Sequence, residues 1–164
     1  MIMETLFTIF SGIFLSAACG FRVFVPLLVM SIASKAGQVQ LPPEFEWIGT
    51  NQTLLLFSVA TVIEVIACTI PVVDNLLKIL ATPVAIIAGI IITAAFVTDI
   101  SPQMNPQFRW TLGFIVGGVA AGSTQAVSIW GRFLTGMMPI VPALIEHIAA
   151  CIASILPFLL PLVF

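Results

Sequence analysis

Ile63-Glu64-Val65-Ile66-Ala67-Cys68 and Ile145-Glu146-His147-Ile148-Ala149-Ala150-Cys151 each set one glutamate inside an apolar run, in nearly the same local phrase. A carboxylate within a membrane span costs roughly 2.5–3.5 kcal/mol on insertion scales, so it faces a protein interior or a water-filled path. Two such phrases point to a duplicated architecture with an acidic centre.

The surrounding composition says which medium the chain folds in. Its 164 residues are 60% hydrophobic and 7% charged, with a mean hydropathy of +1.23. A soluble domain carries about 25% charged residues. This chain cannot cover a water-facing surface, and its partner is the lipid bilayer. The expected fold is all-α: one polytopic transmembrane helical bundle over residues 1–164, of about five spans of about 20 residues each. A net charge of −2 excludes nucleic acid as a partner and supplies no basic patch for anionic lipid. No Lys or Arg precedes the first apolar run, so the N-terminal segment reads as a retained span rather than a cleaved signal, in a cell inner (plasma) membrane.

The first segment covers residues 3–34. As one helix it would reach roughly 46 Å, well beyond a 30 Å hydrocarbon core. Gly20, Arg22 and Pro26 fall inside it, which predicts a kinked or broken helix with its irregularity at 19–26. A re-entrant pair of half-helices is the competing reading, since broken helices at membrane depth line cavities. A polar loop at 35–51 carries Lys35, Pro42-Pro43, Glu44, Glu46 and an interfacial Trp47.

The second segment, 52–70, stops at Pro71 and buries Glu64. Residues 71–81 read as a short amphipathic helix lying on the membrane surface, with Asp74 and Lys78 as an i,i+4 pair, or as a solvated connector. The third segment, 83–98, is Ala, Ile and Val with no ionisable residue, and only packs. Pro and Asn mark 99–108 as a loop. The fourth, 110–130, is bounded by Trp110 and Trp130 with a snorkelling Arg109 and Arg132 beyond them. The fifth, 137–163, holds Glu146 and His147 in its first half.

Small residues recur at four-residue spacing: Gly12, Ser16 and Gly20 in the first segment, Gly113 with Gly117 and Gly118 with Gly122 in the fourth. This spacing lets helix backbones approach closely. Each set precedes a segment with the glutamate phrase. Segments one and two therefore match four and five, and single spans would make this an inverted repeat, as in transporters with a midplane site. In that layout Lys35 and Arg109 fall on one side and Lys78 and Arg132 on the other, so positive charge does not choose an orientation. Dual insertion with a homodimer is one arrangement this tie allows.

Arg22, Glu64 and Glu146 are the candidates for a buried polar centre. One positive and two negative charges leave one carboxylate over, which must take up a proton or hold a cation. Gln125 is a neutral ligand candidate. Asp74 reads as a charge at the water boundary and is kept with the binding candidates. His147 adjoins Glu146 but points about 100° around the helix, and reads as a packing residue. Cys19, Cys68 and Cys151 lie in apolar runs without metal-ligand spacing, so they read as packing residues, and neither metal nor cofactor is expected.

The run Ser16-Ala17-Ala18-Cys19-Gly20-Phe21-Arg22-Val23-Phe24-Val25-Pro26-Leu27-Leu28, with Glu64 and Pro71-Val72-Val73-Asp74, resembles a family of small bacterial integral membrane proteins catalogued as domain of unknown function 4126. The resemblance implies fold and location, and no activity. Where that family's pattern carries a basic residue beside Pro83, this chain has Thr82, so no role is carried over there.

These features predict a transporter or channel for an ion or small solute, with Glu64 and Glu146 handling a proton or cation and Arg22 as counter-charge. A scaffold or assembly factor binding partner helices or lipid through the glycine faces is the alternative. No nucleophile-plus-base arrangement, metal motif or phosphate loop suggests an enzyme.

Overall fold

The structure is a computed structural model that describes residues 2–100, 105–135 and 140–163, with side chains described over 8–70, 72–97, 105–134 and 141–159. Its described residues form helices α1 (Ile2–Phe21), α2 (Phe24–Lys35), α3 (Asn51–Ala67), α4 (Pro71–Ile100), α5 (Pro106–Leu112), α6 (Val119–Thr135) and α7 (Ile140–Val163). A 3-10 turn covers Pro43–Gly49, and a wider π-type turn over Gly113–Gly118 joins α5 to α6 into one helix.

Among the described residues, three helices are long and apolar enough to cross a membrane: Val72–Val97, Pro106–Leu134 and Val141–Leu159. A fourth arises if the Pro43–Gly49 turn and α3, bent by 58°, count as one span. The outward faces are mostly apolar. Leu55, Leu56, Val62 and Ile66 on α3, Val72, Leu76, Ile79 and Leu80 on α4, and Phe133 and Leu134 on α6 are all exposed. In lipid such a surface is the ordinary one.

The first segment is broken, as expected, at Arg22-Val23. Contacts give the direction of each helix. Gly12 lies against Phe96, and Ser16 against Gly89 and Thr93, so α1 and α4 run antiparallel. Gly113 lies against Ile90, Gly117 against Gly89, and Gln125 against Thr82, so α4 and the α5–α6 helix are also antiparallel. Helices α1 and α6 therefore run parallel, in place of the opposite crossing expected for segments one and four. The reason is the break. Helix α2 leads back toward the end from which α1 came, where Ser31 Oγ donates to the Ile48 carbonyl (2.6 Å) and Phe45 packs on Trp110 with ring centroids 5.4 Å apart.

The second correction concerns 71–81 and 83–98. They form one helix, α4, of 30 residues, with Pro83 inside it. Proline removes one helical N–H, and membrane helices tolerate this when side chains re-satisfy nearby carbonyls. Here Thr82 Oγ1 (2.9 Å) and Gln125 Nε2 (3.0 Å) both donate to the Lys78 carbonyl. Residues 71–81 do not lie flat because their polar face is covered: Asp74 and Lys78 are buried while Val72, Leu76, Ile79 and Leu80 face outward.

Helix α1 is the centre of the bundle and packs on α4, α6 and α7. Leu15, Ala18 and Cys19 are fully buried. Gly20 is required by close approach: a Cβ there would stand 1.8 Å from Thr124 Oγ1 and 2.3 Å from the Ala121 carbonyl oxygen. Of the other predicted packing positions, Gly113 and Gly117 meet the backbone of α4, Gly12 and Gly118 meet side chains at 3.2 and 3.3 Å, and Gly122 has ordinary contact at 3.8 Å.

Candidate functional site

Helices α1 and α6 end, and α4 and α7 begin, at the same end of the bundle, and their charges meet there. Arg22 sits where α1 gives way to α2. Asp74 and Lys78 are one turn apart on α4 and share a face. Ser128 and Arg132, four residues apart, share a face of α6 in the same way. Glu146 lies roughly 9 Å into α7.

Arg22 Nη1 donates to Asp74 Oδ1 at 3.2 Å, and Arg132 Nη1 donates to the other Asp74 oxygen. Arg132 also grips Glu146 with a fork, Nε to Oε1 at 3.1 Å and Nη2 to Oε2 at 2.5 Å. Lys78 Nζ stands 2.6 Å from Glu146 Oε2, and Arg22 Nη2 stands 3.7 Å from it. Ser128 donates to Glu146 Oε1. Asp74 is 0% exposed, Arg22 3%, Lys78 6% and Glu146 7%. These ion pairs are cut off from water on a scale that surface pairs never reach.

Glu64 adjoins this cluster without joining it. Its Oε1 accepts from the Val23 backbone N–H at 3.2 Å, so the carboxylate caps the start of α2 just past the break. Its Oε2 is buried without a hydrogen-bond partner, and so is Arg22 Nε. The two glutamates of the matched phrases thus differ in what they hold, one backbone and the other cations. Gln125 lies beside the cluster and binds α4 backbone instead of an acid. His147 Nδ1 faces its own helix carbonyl at Ala143, 3.2 Å away.

The charge count from sequence is corrected. Lys78 and Arg132 join Arg22, and Asp74 joins Glu146, so three cations meet two acids in the cluster, with Glu64 beside it as a third acid. Arg132 does not snorkel, because Asp74 and Glu146 turn it inward. Asp74 and Lys78 pair with these partners rather than with each other. The spacing carried a signal for this: Gln125, Ser128 and Arg132 form a polar stripe at helical intervals in an otherwise apolar stretch.

Apolar spans around a buried cluster of charges define a helical membrane protein. The chain belongs to the family described as Domain of unknown function (DUF4126), whose model matches residues 9–164. No curated protein and no solved structure matches it.

Proposed function

We propose that this protein is a multi-pass transporter or channel of the plasma membrane, and that it moves a small ion or solute through the charge cluster at one end of its bundle. The carrying observation is concentration of charge. The chain has five Lys and Arg and seven Asp and Glu, and six of these twelve gather at or beside one point inside the bundle. Stability alone does not account for this. Replacing a buried ion pair by packed apolar residues is often neutral or stabilising, whereas ionisable groups at membrane depth mark pathways for ions and solutes. The break at Arg22-Val23 is compatible with the same reading, because irregular backbone at membrane depth is kept where it is buried in protein or lines a cavity, and transporters bind their solutes at such breaks.

The scaffold alternative needs free glycine faces. Gly20, Gly113 and Gly117 are already spent on contacts within the bundle, which weighs against partner helices docking there. The hydroxyl in the cluster, Ser128, touches Lys78 and Glu146, but Lys78 and Glu146 are engaged with each other and with Arg132 as ion pairs, and the proposal is of a non-enzyme.

Flux into proteoliposomes tests the reading, with sodium, potassium, protons, chloride and phosphate as probes. Flux of one of these by the wild type, reduced at least tenfold by Glu146→Gln or Glu64→Gln, is expected. Flux that both variants leave unchanged would sink the role of the cluster.

A further inference from the structure

Three cations from separate parts of the chain converge on one oxygen. Glu146 Oε2 has Arg132 Nη2 at 2.5 Å, Lys78 Nζ at 2.6 Å and Arg22 Nη2 at 3.7 Å. Its other oxygen takes the Arg132 Nε and the Ser128 hydroxyl. A guanidinium fork, an ammonium and a hydroxyl are the donors that recognise any oxyanion.

We propose that Glu146 is a tethered occupant of an oxyanion site, and that the transported solute is an anion carrying a carboxylate or phosphate group that displaces it. This rests on the transport reading above and names its substrate class.

The charge balance favours this occupant. With the Glu146 side chain turned away, Arg22 and Arg132 keep Asp74 as the one acid in direct contact, and Lys78 loses its carboxylate. Buried cations left in that state demand an anion. A free cation would instead have to approach three fixed positive charges. The frame of the site also survives displacement, because Asp74 still ties Arg22 to Arg132 across α1 and α6. Arg22 Nε supplies a second, independent sign: it is a buried donor with no acceptor, next to the trio. A ligand with more oxygens than one carboxylate has a use for it. Gln125 and Thr82 both donate to the Lys78 carbonyl, so the backbone that carries the ammonium keeps its place whoever occupies the site.

Isothermal titration of the detergent-purified protein decides the matter. Sodium phosphate and sodium acetate are titrated at constant sodium, with chloride as the reference anion, into wild type, Glu146→Ala and Glu146→Gln. A tethered group competes at an effective concentration of about millimolar or above, so both variants should bind phosphate or acetate at least roughly tenfold tighter than wild type. Preference for one of the two salts identifies the headgroup. Affinity equal in all three proteins, or no anion binding in any, overturns the proposal. If neither variant folds, the wild type decides alone: a saturable rise in Tm with phosphate or acetate over chloride supports the site, and none refutes it. Binding is read without a membrane, so the two ideas fail separately. Anion binding without flux removes the transport reading. Cation flux without anion binding removes this one.

Discussion

Gly117 and Gly89 meet backbone to backbone: a Cβ on Gly117 would stand 2.2 Å from the Gly89 carbonyl oxygen, and one on Gly89 would stand 2.6 Å from the Gly117 oxygen. No rotamer relieves a clash with backbone, so the helices themselves must part. Gly117→Ala is expected to lower stability by about 1–3 kcal/mol, in line with other overpacked cores. Gly122→Ala, whose Cβ would sit 3.8 Å from Ile86, should stay within about 0.5 kcal/mol of wild type. Thermal unfolding in detergent separates them, and equal losses would mean that the Gly117 contact is not made.

Asp74→Asn keeps the shape of the side chain and removes the charge shared by Arg22 and Arg132. Breaking a buried pair on one side costs about 3–5 kcal/mol. A cycle with Arg132→Gln is the measurement. The double variant should be clearly less destabilised than the two single losses added together, since each removes the same interaction.

Ser16 offers a milder case at the α1–α4 crossing. Its hydroxyl makes contacts of 3.0 Å to the Gly89 carbonyl and 2.7 Å to Thr93 Oγ1, both buried. Interhelical hydrogen bonds of this kind average about 0.6 kcal/mol and reach about 1.7. Ser16→Ala should fall in that range, and Thr93→Val below it, because Ser16 keeps the Gly89 carbonyl. The reverse order in a melting experiment would contradict the geometry.

At the other end of the bundle, Arg109 Nη2 stands 3.6 Å from Glu44, whose side chain is 44% exposed. Arg109 itself is buried, but Glu44 keeps its access to water, and pairs screened by solvent contribute about 0–1 kcal/mol. Glu44→Ala should therefore shift Tm little, in contrast to Asp74→Asn, and a large shift would show that the 35–51 loop holds the bundle together.

The return of α2 has a topological readout. An epitope fused ahead of α1 and a cysteine placed at Gln38 should be accessible from the same side of the membrane, and a cysteine at Asn75 from the other. A single span over 3–34 gives the opposite result for the first pair, so side-specific labelling distinguishes them.

Parts of this architecture were legible because they follow from local chemistry. Arg22 and Pro26 within an overlong apolar run announce the break. Trp110 and Trp130 bracket the fourth segment, and both are exposed on its helix, at 42% and 64%. The continuity of α4 was hidden, because Pro71, Pro83 and the charges between them resemble a surface helix. Only the partners on α1, α6 and α7 make that face a buried one. The same holds for Arg132. Near a helix end an arginine ordinarily reaches for water, and whether it turns inward depends on rotational phase against neighbours that one helix does not encode. The matched glutamate phrases did mark two acids that matter, but the third, Asp74, had no apolar phrase to single it out. Residues 136–139, the start of the predicted fifth segment among them, lie outside the described residues.

The order in which the cluster's members leave the ribosome has a consequence for biogenesis. Arg22 emerges first and meets Asp74 only after a further 52 residues have been made. Lys78, Arg132 and then Glu146 follow, the last on α7. Until α7 enters the bilayer, Lys78 lacks the carboxylate that binds it and Arg132 has only its contact with Asp74, and charges in that state resist stable insertion. Helix α7, made after the other members of the cluster, therefore completes their charge balance, and a nascent chain truncated before Glu146 is the form that quality-control proteases should recognise.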